Sequence, residues 1–302
     1  MRTKSIYKKL KSIDNIKVAR NEKLFKHTTI KVGGKAPIFL LPKNEEALMR
    51  ALFKLNSKKR SIFVIGNGSN TLISDKGIDG IAIKIGGGLS FININGSVVR
   101  VGAGVNLQKL IRLLAKKGLG GLEFAAGVPA SVGGAVWMNM GAYGKQISSL
   151  IKEVKTVSFT GSQKIWKKNK IKFSYRSSIF QGKKLVITEV TLKMKKGKPR
   201  SIKKKIEKFL NIRKSKQPLS VPSFGSTFKN PKGYYAAELI EKSGLKGLRL
   251  GDAQVSTKHA NFIINLGGAS SGDIVKLIEK VRRTVKQKSG ISLVPEIKMI
   301  EF

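Results

Sequence analysis

The chain has 302 residues, of which 41% are hydrophobic and 25% are charged, and this composition is typical of a soluble globular protein with about two domains. It has no cysteine, which excludes disulfides, thiolate nucleophiles and cysteine-bound clusters. Its two histidines, His27 and His259, lie far apart in sequence and predict no metal centre. Any redox chemistry would therefore need an organic cofactor.

The formal net charge of +43 would suit a nucleic acid, an anionic membrane surface or a polyanionic substrate as partner. The lysines, however, are spread along the whole chain and far outnumber the arginines, which is typical of a solvated surface. No apolar run approaches the ~20 residues that span a bilayer. The basic N-terminal segment has no apolar stretch behind it, so it does not resemble a signal peptide. We therefore expect a cytoplasmic protein without membrane insertion, and a monomer is the favoured oligomeric state.

The first half of the chain predicts helices and strands separated by glycine-rich turns. Residues 45–55 place Leu48, Leu52 and Leu55 on one helical face. Asn106 is a good N-cap for a helix with leucine and isoleucine at positions 107, 110, 111 and 114. Strands are predicted at residues 61–65, 81–85 and 98–101.

The chain continues with a glycine- and alanine-rich segment at 118–144 and, further on, a very basic segment at 195–216, whose apolar residues predict a helix. Ser270 and Asp273 are spaced as a capping box for a helix that Gly290 ends. The other predicted elements are strands at 154–159, 185–193, 261–266 and 296–301 and a helix at 235–241. Since helices and strands do not alternate regularly, the predicted class is α+β.

A glycine-rich loop, residues 66–71, follows the apolar strand at 61–65. Its sequence, Gly-Asn-Gly-Ser-Asn-Thr, could present backbone amides to a phosphate, although a simple hairpin connection is equally compatible. A Rossmann fingerprint would need a third glycine and a following helix, and a Walker loop would end in Gly-Lys-Ser/Thr. Neither pattern is present.

A second loop, residues 124–144, is longer and richer in small residues. Such residues allow the backbone to approach a large flat ligand closely, and Ser131 and Asn139 add polar groups. A tightly packed crossing of a helix and a sheet is the alternative. Its length, together with the first loop, favours a cofactor cradle.

The two loops together resemble the FAD-binding segments of the PCMH or vanillyl-alcohol-oxidase type. Residues 28–34 (Thr-Thr-Ile-Lys-Val-Gly-Gly) and 138–144 (Met-Asn-Met-Gly-Ala-Tyr-Gly) are similar to the UDP-N-acetylenolpyruvoylglucosamine reductase family in particular. The resemblance covers roughly residues 20–300 and continues through further motifs in the family's order, at 175–178, 217–218, 225–231, 244–247, 258–262 and 295–296.

The departures from the family pattern are small. Ala130 and Ser131 stand where Gly and Thr are more frequent, and Met140 where Ala is usual. The stretch between Arg176 and Ser226 is short, as in the family branch without an inserted tyrosine-bearing loop.

The resemblance implies a PCMH-type FAD-binding domain at residues 20–198 and a smaller α+β substrate-binding domain at 199–302, whose last strand could return to the first domain. It also implies noncovalent FAD as cofactor and NADPH as hydride donor. The cofactor contacts that it implies are Gly66, Asn67, Gly68, Ser69, Asn70, Gly127, Ser131, Gly133, Gly134, Asn139, Gly141, Ala142 and Arg213, although Arg213 could instead reach a substrate phosphate.

The implied reaction is the reduction of UDP-N-acetylenolpyruvoylglucosamine to UDP-N-acetylmuramate in peptidoglycan synthesis. In the matching motifs Arg176 would stabilise an enolate, Ser226 would donate a proton and Glu296 would assist it. Without the motifs these residues would be, respectively, a surface arginine, a turn serine and an exposed strand-end carboxylate. The resemblance implies substrate contacts at Tyr175, Lys216, Asn230 and His259, and His259 could equally be structural.

Two other functions remain open at this point. Another PCMH-type flavin oxidoreductase is possible, but relatives with covalent FAD need a histidine or cysteine, and neither histidine lies in a glycine loop. A basic nucleic-acid-binding protein would need charge on one face with interleaved aromatic residues, whereas only 7% of this chain is aromatic.

Overall fold

The computed structural model describes residues 3–56 and 61–302. The α-helices in this part of the chain are α1 (Thr3–Lys11), α2 (Glu45–Asn56), α3 (Leu107–Lys116), α4 (Val132–Trp137), α5 (Pro199–Lys216), α6 (Ala236–Lys242) and α7 (Ser271–Ser289). The strands are β1 (Ile16–Lys23), β2 (Lys35–Pro42), β3 (Ser61–Ile65), β4 (Thr71–Ile73), β5 (Gly80–Lys84), β6 (Ile92–Asn95), β7 (Val98–Gly102), β8 (Leu119–Gly120), β9 (Gly141–Ala142), β10 (Lys145–Gln146), β11 (Ile151–Ser158), β12 (Gln163–Lys167), β13 (Phe173–Ser174), β14 (Ser177–Ser178), β15 (Leu185–Lys193), β16 (Lys195–Lys196), β17 (Ser223–Ser226), β18 (Arg249–Leu250), β19 (Ala253–Val255), β20 (Phe262–Asn265) and β21 (Lys298–Ile300).

The chain forms two compact units that are interleaved in sequence. The first consists of the described residues of Met1–Asn21, Pro37–Asn67 and Gly80–Asn211, and the second of Glu22–Ala36, Gly68–Asp79 and Ile212–Phe302. One crossing between the units therefore falls inside the first glycine-rich loop and another inside helix α5.

The first unit contains a four-stranded sheet with the order β1-β2-β5-β3 and a five-stranded antiparallel sheet with the order β12-β11-β15-β7-β6. In the smaller sheet β2 and β3 both run parallel to β5, with Ile38 and Ile62 opposite Ile81. Its core joins these strands to the apolar faces of α1, α2 and α3. Both glycine-rich loops follow secondary structure that this core holds in place.

The second unit contains an antiparallel sheet with the order β17-β20-β19-β18. Helices α6 and α7 bury Ile240, Ile274, Leu277 and Ile278 in its core. The last strand, β21, pairs in parallel with β4, with Met299 opposite Leu72.

Most predicted elements are present in the structure. The strands at 61–65 and 185–193 have the predicted bounds, and Asn106 caps α3 by accepting from the amides of Gln108 and Lys109. The capping box of Ser270 begins α7, and Gly290 ends it with a left-handed φ of 72°.

The elements that were not predicted include the helices α1 and α4, the eight-residue strands β1 and β2, and shorter strands such as β6, β12, β17 and β19. Helix α1 buries Ile6 and Leu10 one turn apart, and the lysines around them conceal this short periodicity in the sequence. Helix α4 is only six residues long and lies inside the glycine- and alanine-rich segment, where no apolar stripe can develop.

The basic segment at 195–216 is not helical throughout. Lys195 and Lys196 form β16 and pair with β8, and the helix begins at Pro199. Proline is favoured at the first helical position because it has no amide hydrogen to satisfy there.

The domain limits expected at 198 and 199 differ from the division in the structure. The first unit continues into α5 as far as Asn211, and β4, which lies within the stretch expected to bind FAD, belongs to the second unit with β21. These exchanges are long-range pairings that local sequence does not encode.

Candidate functional site

The first loop presents an open run of backbone amides. In residues 3–56 and 61–302, no protein acceptor takes the amide hydrogens of Asn67, Gly68 and Ser69. Gly68 has a φ of +63°, which is favourable for glycine, and a Cβ there would collide with the carbonyl of His27. Consecutive free amides around a left-handed residue form a concave site for an anion such as a phosphate.

The two glycine-rich loops meet within the first unit. The side-chain amide of Asn67 donates to the carbonyl of Pro129 at 2.9 Å. A Cβ on Gly66 would lie 2.5 Å from Oγ of Ser131, so glycine is required by the close approach of the loops. The structure therefore brings together the two segments that were expected to share one cofactor.

The start of helix α4 is satisfied by the protein itself. The amides of Val132 and Gly133 donate to the carbonyls of Val105 and Ala103, both at 2.9 Å. Oγ of Ser131 accepts from the amide of Gly134 at 3.3 Å. Ser131 is therefore the N-cap of α4, and the open amides of the first loop are the better phosphate donors.

Gly133 and Gly127 each have an internal reason to be glycine. A Cβ on Gly133 would lie 2.8 Å from Cβ of Ala103, and Gly127 has a φ of +79°. The amide of Gly127 donates to Oε1 of Gln108 at 2.7 Å. The same glutamine donates through Nε2 to the carbonyls of Ala125 and Val128, at 2.9 and 2.7 Å.

Gln108 is thus a functional candidate that sequence reasoning missed. It lies half-buried in the first turn of α3, and it makes three hydrogen bonds that shape the second loop. The available signal was a glutamine placed beside the apolar stripe of a well-capped helix.

Asn139 is fully buried, with a φ of +43°. Its Nδ2 donates to the carbonyl of Ser174 and to Oε1 of Gln146, both at 2.8 Å, and its Oδ1 accepts from the amide of Ser148 at 3.3 Å. This side chain holds the polypeptide on either side of it, including the short β9–β10 hairpin that carries Gly141 and Ala142.

Arg176 lies at the tip of the β13–β14 hairpin. It has a left-handed φ of 54°, and its guanidinium carbon lies 5.0 Å from the ring centroid of Tyr175. A Cβ on Gly141 would lie 3.0 Å from Nη1 of Arg176. The guanidinium group therefore rests against the backbone of the second loop, where glycine leaves room for it.

Ser226 and Glu296 are neighbours in the second unit. Ser226 ends β17, and the amide of Glu296 donates to the carbonyl of the next residue, Thr227, at 2.8 Å. An isolated bridge between Phe228 and Pro295 continues this pairing. Asn70 donates to the carbonyl of Glu296 at 3.0 Å, so it too fixes this segment.

The expected substrate contacts differ in their surroundings. Tyr175 is 50% exposed, and Lys216 is exposed at the last position of α5. Oδ1 of Asn230 accepts from the amide of Ala236 at 3.0 Å, at the start of α6. Arg213 is half-buried one turn before the end of α5.

His259 is half-buried just before β20. Its Nδ1 accepts from the amide of Asn261 at 3.3 Å, and its ring meets Phe262 edge-on at 4.8 Å. Burial lowers the pKa of His259 below its ordinary value of 6.5, and the positive charges of Lys246 and Lys216 act in the same direction. The imidazole is therefore neutral at neutral pH.

Neither the cavity found on the surface nor the helices identify further candidate site residues. A cavity of about 390 Å³ lies beside α7, lined by Leu250, Lys276, Glu279, Lys280 and Arg283, and it contains none of the expected residues. No helix in the described part of the chain is both long and apolar enough to cross a membrane.

Comparisons with known proteins identify the family. Residues 36–165 match a family model described as an FAD binding domain, and residues 217–300 match the UDP-N-acetylenolpyruvoylglucosamine reductase, C-terminal domain. The UDP-N-acetylenolpyruvoylglucosamine reductase of Lachnoclostridium phytofermentans is 42% identical over 300 residues, which are 98% of this chain and 97% of the relative. That of Caldanaerobacter subterraneus subsp. tengcongensis is 40% identical over 284 residues, 94% of each chain.

A solved structure is also similar. The crystal structure of the UDP-N-acetylenolpyruvylglucosamine reductase from Thermus caldophilus has a TM-score of 0.80 at 32% identity and covers 95% of this chain and 99% of that one. The predicted α+β class, with a PCMH-type FAD-binding domain followed by a smaller α+β domain, is confirmed. The chain belongs to the UDP-N-acetylenolpyruvoylglucosamine reductase family of FAD-dependent oxidoreductases.

Proposed function

We propose that this chain reduces UDP-N-acetylenolpyruvoylglucosamine to UDP-N-acetylmuramate with NADPH, as a cytoplasmic monomer supplying peptidoglycan precursors. One observation carries the proposal furthest. The segment that bears Ser226 pairs through Thr227 and Phe228 with the segment that bears Pro295 and Glu296, so a hydroxyl and a carboxyl group come from adjacent segments. A proton donor with a supporting carboxyl group is what the second half of an enol-ether reduction requires.

The residues present fit a bound FAD. The open amides of Asn67, Gly68 and Ser69 suit its pyrophosphate. The small residues of the second loop suit its flat ring system, with Gly127, Ser131, Gly133, Gly134, Asn139, Gly141 and Ala142 lining or holding that loop. When bound, FAD supplies two-electron chemistry, taking a hydride from NADPH and delivering one to the enolpyruvyl group.

Arg176 stabilises the charge that this delivery creates. Hydride addition to an enol ether conjugated with a carboxylate builds an enolate, and a guanidinium group can hold the carboxylate through two parallel hydrogen bonds. Its position against Gly141, in the loop that the family resemblance assigns to the flavin, supports this role.

Ser226 then gives its hydroxyl proton to the carbanionic carbon, forming the C–H bond of the lactyl ether. A serine hydroxyl is a weak acid, so it is suited only to a strongly basic, enolate-like acceptor. Glu296, whose amide donates to the carbonyl of Thr227 next to Ser226 in the chain, assists this proton transfer.

Further polar groups complete the proposal on the substrate side. Lys216 and Arg213 offer positive charge to a diphosphate, whereas Tyr175, Asn230 and the neutral His259 offer hydrogen bonds to the sugar and nucleotide. Asn70 holds the backbone of Glu296 in place by donating a hydrogen bond to its carbonyl.

Anaerobic rapid mixing tests the proposal with two variants of the same strand. The purified protein should show a flavin absorption spectrum, which NADPH bleaches and the enolpyruvyl UDP-sugar restores. Ser226→Ala should keep the bleaching rate and lose at least about 100-fold in the rate of restoration, the scale of a general acid.

Ser223→Ala, three residues earlier in β17, is the matched control and should restore the spectrum at the wild-type rate. Colourless protein that FAD cannot reconstitute would overturn the proposal as a whole. Equal loss of both half-reactions in Ser226→Ala would contradict only the proton-donor role.

A further inference from the structure

We propose that Gln181 is a positioning residue that fixes the backbone of Arg176 and thereby aims its guanidinium group. The proposal rests on the role of Arg176 given above. Gln181 follows the β13–β14 hairpin, and its side chain is turned back onto the tip of that hairpin.

The carboxamide of Gln181 binds two backbone carbonyls at once. Nε2 donates to the carbonyl of Arg176 at 3.1 Å and to the carbonyl of Trp137 at 3.1 Å. An amide nitrogen has two hydrogens, which suit these two carbonyls, and Sδ of Met138 is a more distant acceptor at 3.7 Å. One side chain therefore ties the turn that bears Arg176 to the last residue of helix α4.

The turn needs such a tie because its conformation is unfavourable for arginine. A left-handed φ such as the 54° of Arg176 costs a residue with a Cβ about 1–2 kcal/mol. Backbone strain of this kind persists only where surrounding groups hold it.

Two other side chains hold the same hairpin at different points. Nδ2 of Asn139 donates to the carbonyl of Ser174 on one strand at 2.8 Å, and Oγ of Ser178 on the other strand donates to the carbonyl of Trp137 at 2.8 Å. These bonds fix the two arms of the hairpin. The bond from Gln181 is made to the carbonyl of Arg176 itself.

The carbonyl orientation of a residue and the direction of its side chain are set by the same backbone dihedral angles. A turn that relaxes away from the left-handed conformation would carry the guanidinium group off the backbone of Gly141. A charge displaced by even about 1 Å stabilises a transition state much less well. Gln181 itself is exposed and has no place in the proposed chemistry.

A double-mutant cycle measured on the two flavin half-reactions tests the proposal. Gln181→Met keeps the length of the side chain but removes both donors, and Gln181→Ala is the second variant. Both should slow reoxidation by the UDP-sugar about tenfold, while the rate of reduction by NADPH, the FAD affinity and the melting temperature stay at wild-type values. In an Arg176→Ala background, the same substitutions at Gln181 should change the rate of reoxidation by less than about twofold. The effects of two residues are not additive when one acts through the other.

Gln163→Ala, an exposed glutamine on the edge strand β12, is the control for a surface amide in the same unit. If Arg176→Ala alone leaves reoxidation unchanged, the proposed role of Arg176 fails and the positioning role of Gln181 is overturned with it. If Arg176→Ala slows reoxidation but Gln181→Met does not, or if the two effects add in full, the positioning role of Gln181 is overturned while that of Arg176 stands.

Discussion

Single polar residues in the glycine-rich loops first satisfy the protein's own backbone. Ser131 caps α4. The side chain of Asn139 uses its hydrogen-bonding groups on Ser174, Gln146 and Ser148. Buried polar groups must be hydrogen-bonded, so a loop built for close ligand approach needs internal anchors. Sequence reasoning recognised these residues as special, but only the structure separates anchors from open donors such as the amides of Asn67–Ser69.

His259 should make stability depend on pH. Because burial lowers its pKa in the folded state, the unfolded chain takes up a proton on this residue at a higher pH than the folded chain does. Its contribution to the free energy of unfolding is therefore complete above about pH 6.5, the unfolded value, and is lost as the pH falls from there through the folded pKa.

The comparison that checks this is urea unfolding of the wild type and His259→Gln at a series of pH values. The wild type should lose more free energy of unfolding than the variant when the pH falls below about 6.5. Identical pH slopes for the two proteins would show that His259 does not contribute.

At the scale of elements, helix α3 is as much a support for the second loop as part of the core. Its N-cap, Asn106, was predicted from sequence, and the leucine stripe of α3 is buried. The glutamine one residue into the helix was not recognised, because its three partners lie 17 to 20 residues further along the chain.

Removing this support should weaken cofactor binding. Gln108→Ala leaves the amide of Gly127 and two carbonyls without their partner, and we expect the dissociation constant for FAD to rise about tenfold, equivalent to about 1.4 kcal/mol. The dissociation constant is measured by titrating FAD with apoprotein and following the quenching of flavin fluorescence. Gln254→Ala, which removes one long bond of 3.2 Å to the carbonyl of Gly247, is the control and should bind FAD as the wild type does. An unchanged FAD affinity in Gln108→Ala would mean that the loop keeps its shape without the glutamine.

At the scale of the whole molecule, charge is the dominant feature. Sixty lysines and arginines face seventeen aspartates and glutamates. Some ion pairs form, as between Arg100 and Glu189 and between Lys155 and Glu45. Because basic residues outnumber acidic ones by more than three to one, most lysines and arginines cannot pair with a carboxylate. Such an excess repels itself in the compact state and attracts phosphorylated ligands.

The melting temperature of the apoprotein should consequently rise with salt. Between about 20 and 300 mM NaCl the screening length falls several-fold, which reduces repulsion between exposed lysines. We expect an increase of a few degrees, measured by differential scanning calorimetry, and the same increase with KCl. A melting temperature that stays constant or falls over this range would show that the surplus charge does not destabilise the fold.

The α+β class, most of the helices, several of the strands and the candidate catalytic side chains could all be predicted from the order of the residues. Hydrophobic periodicity, the caps at Asn106 and Ser270 and the ordered motifs are local, so they can be read along the chain. The interleaving of the two units, the pairing of β21 with β4 and the contacts of Gln108 and Gln181 become visible only in the folded chain. These features depend on which distant backbone groups come into contact. Every residue has a backbone carbonyl, so the local sequence does not indicate which carbonyl will accept a hydrogen bond from a distant side chain.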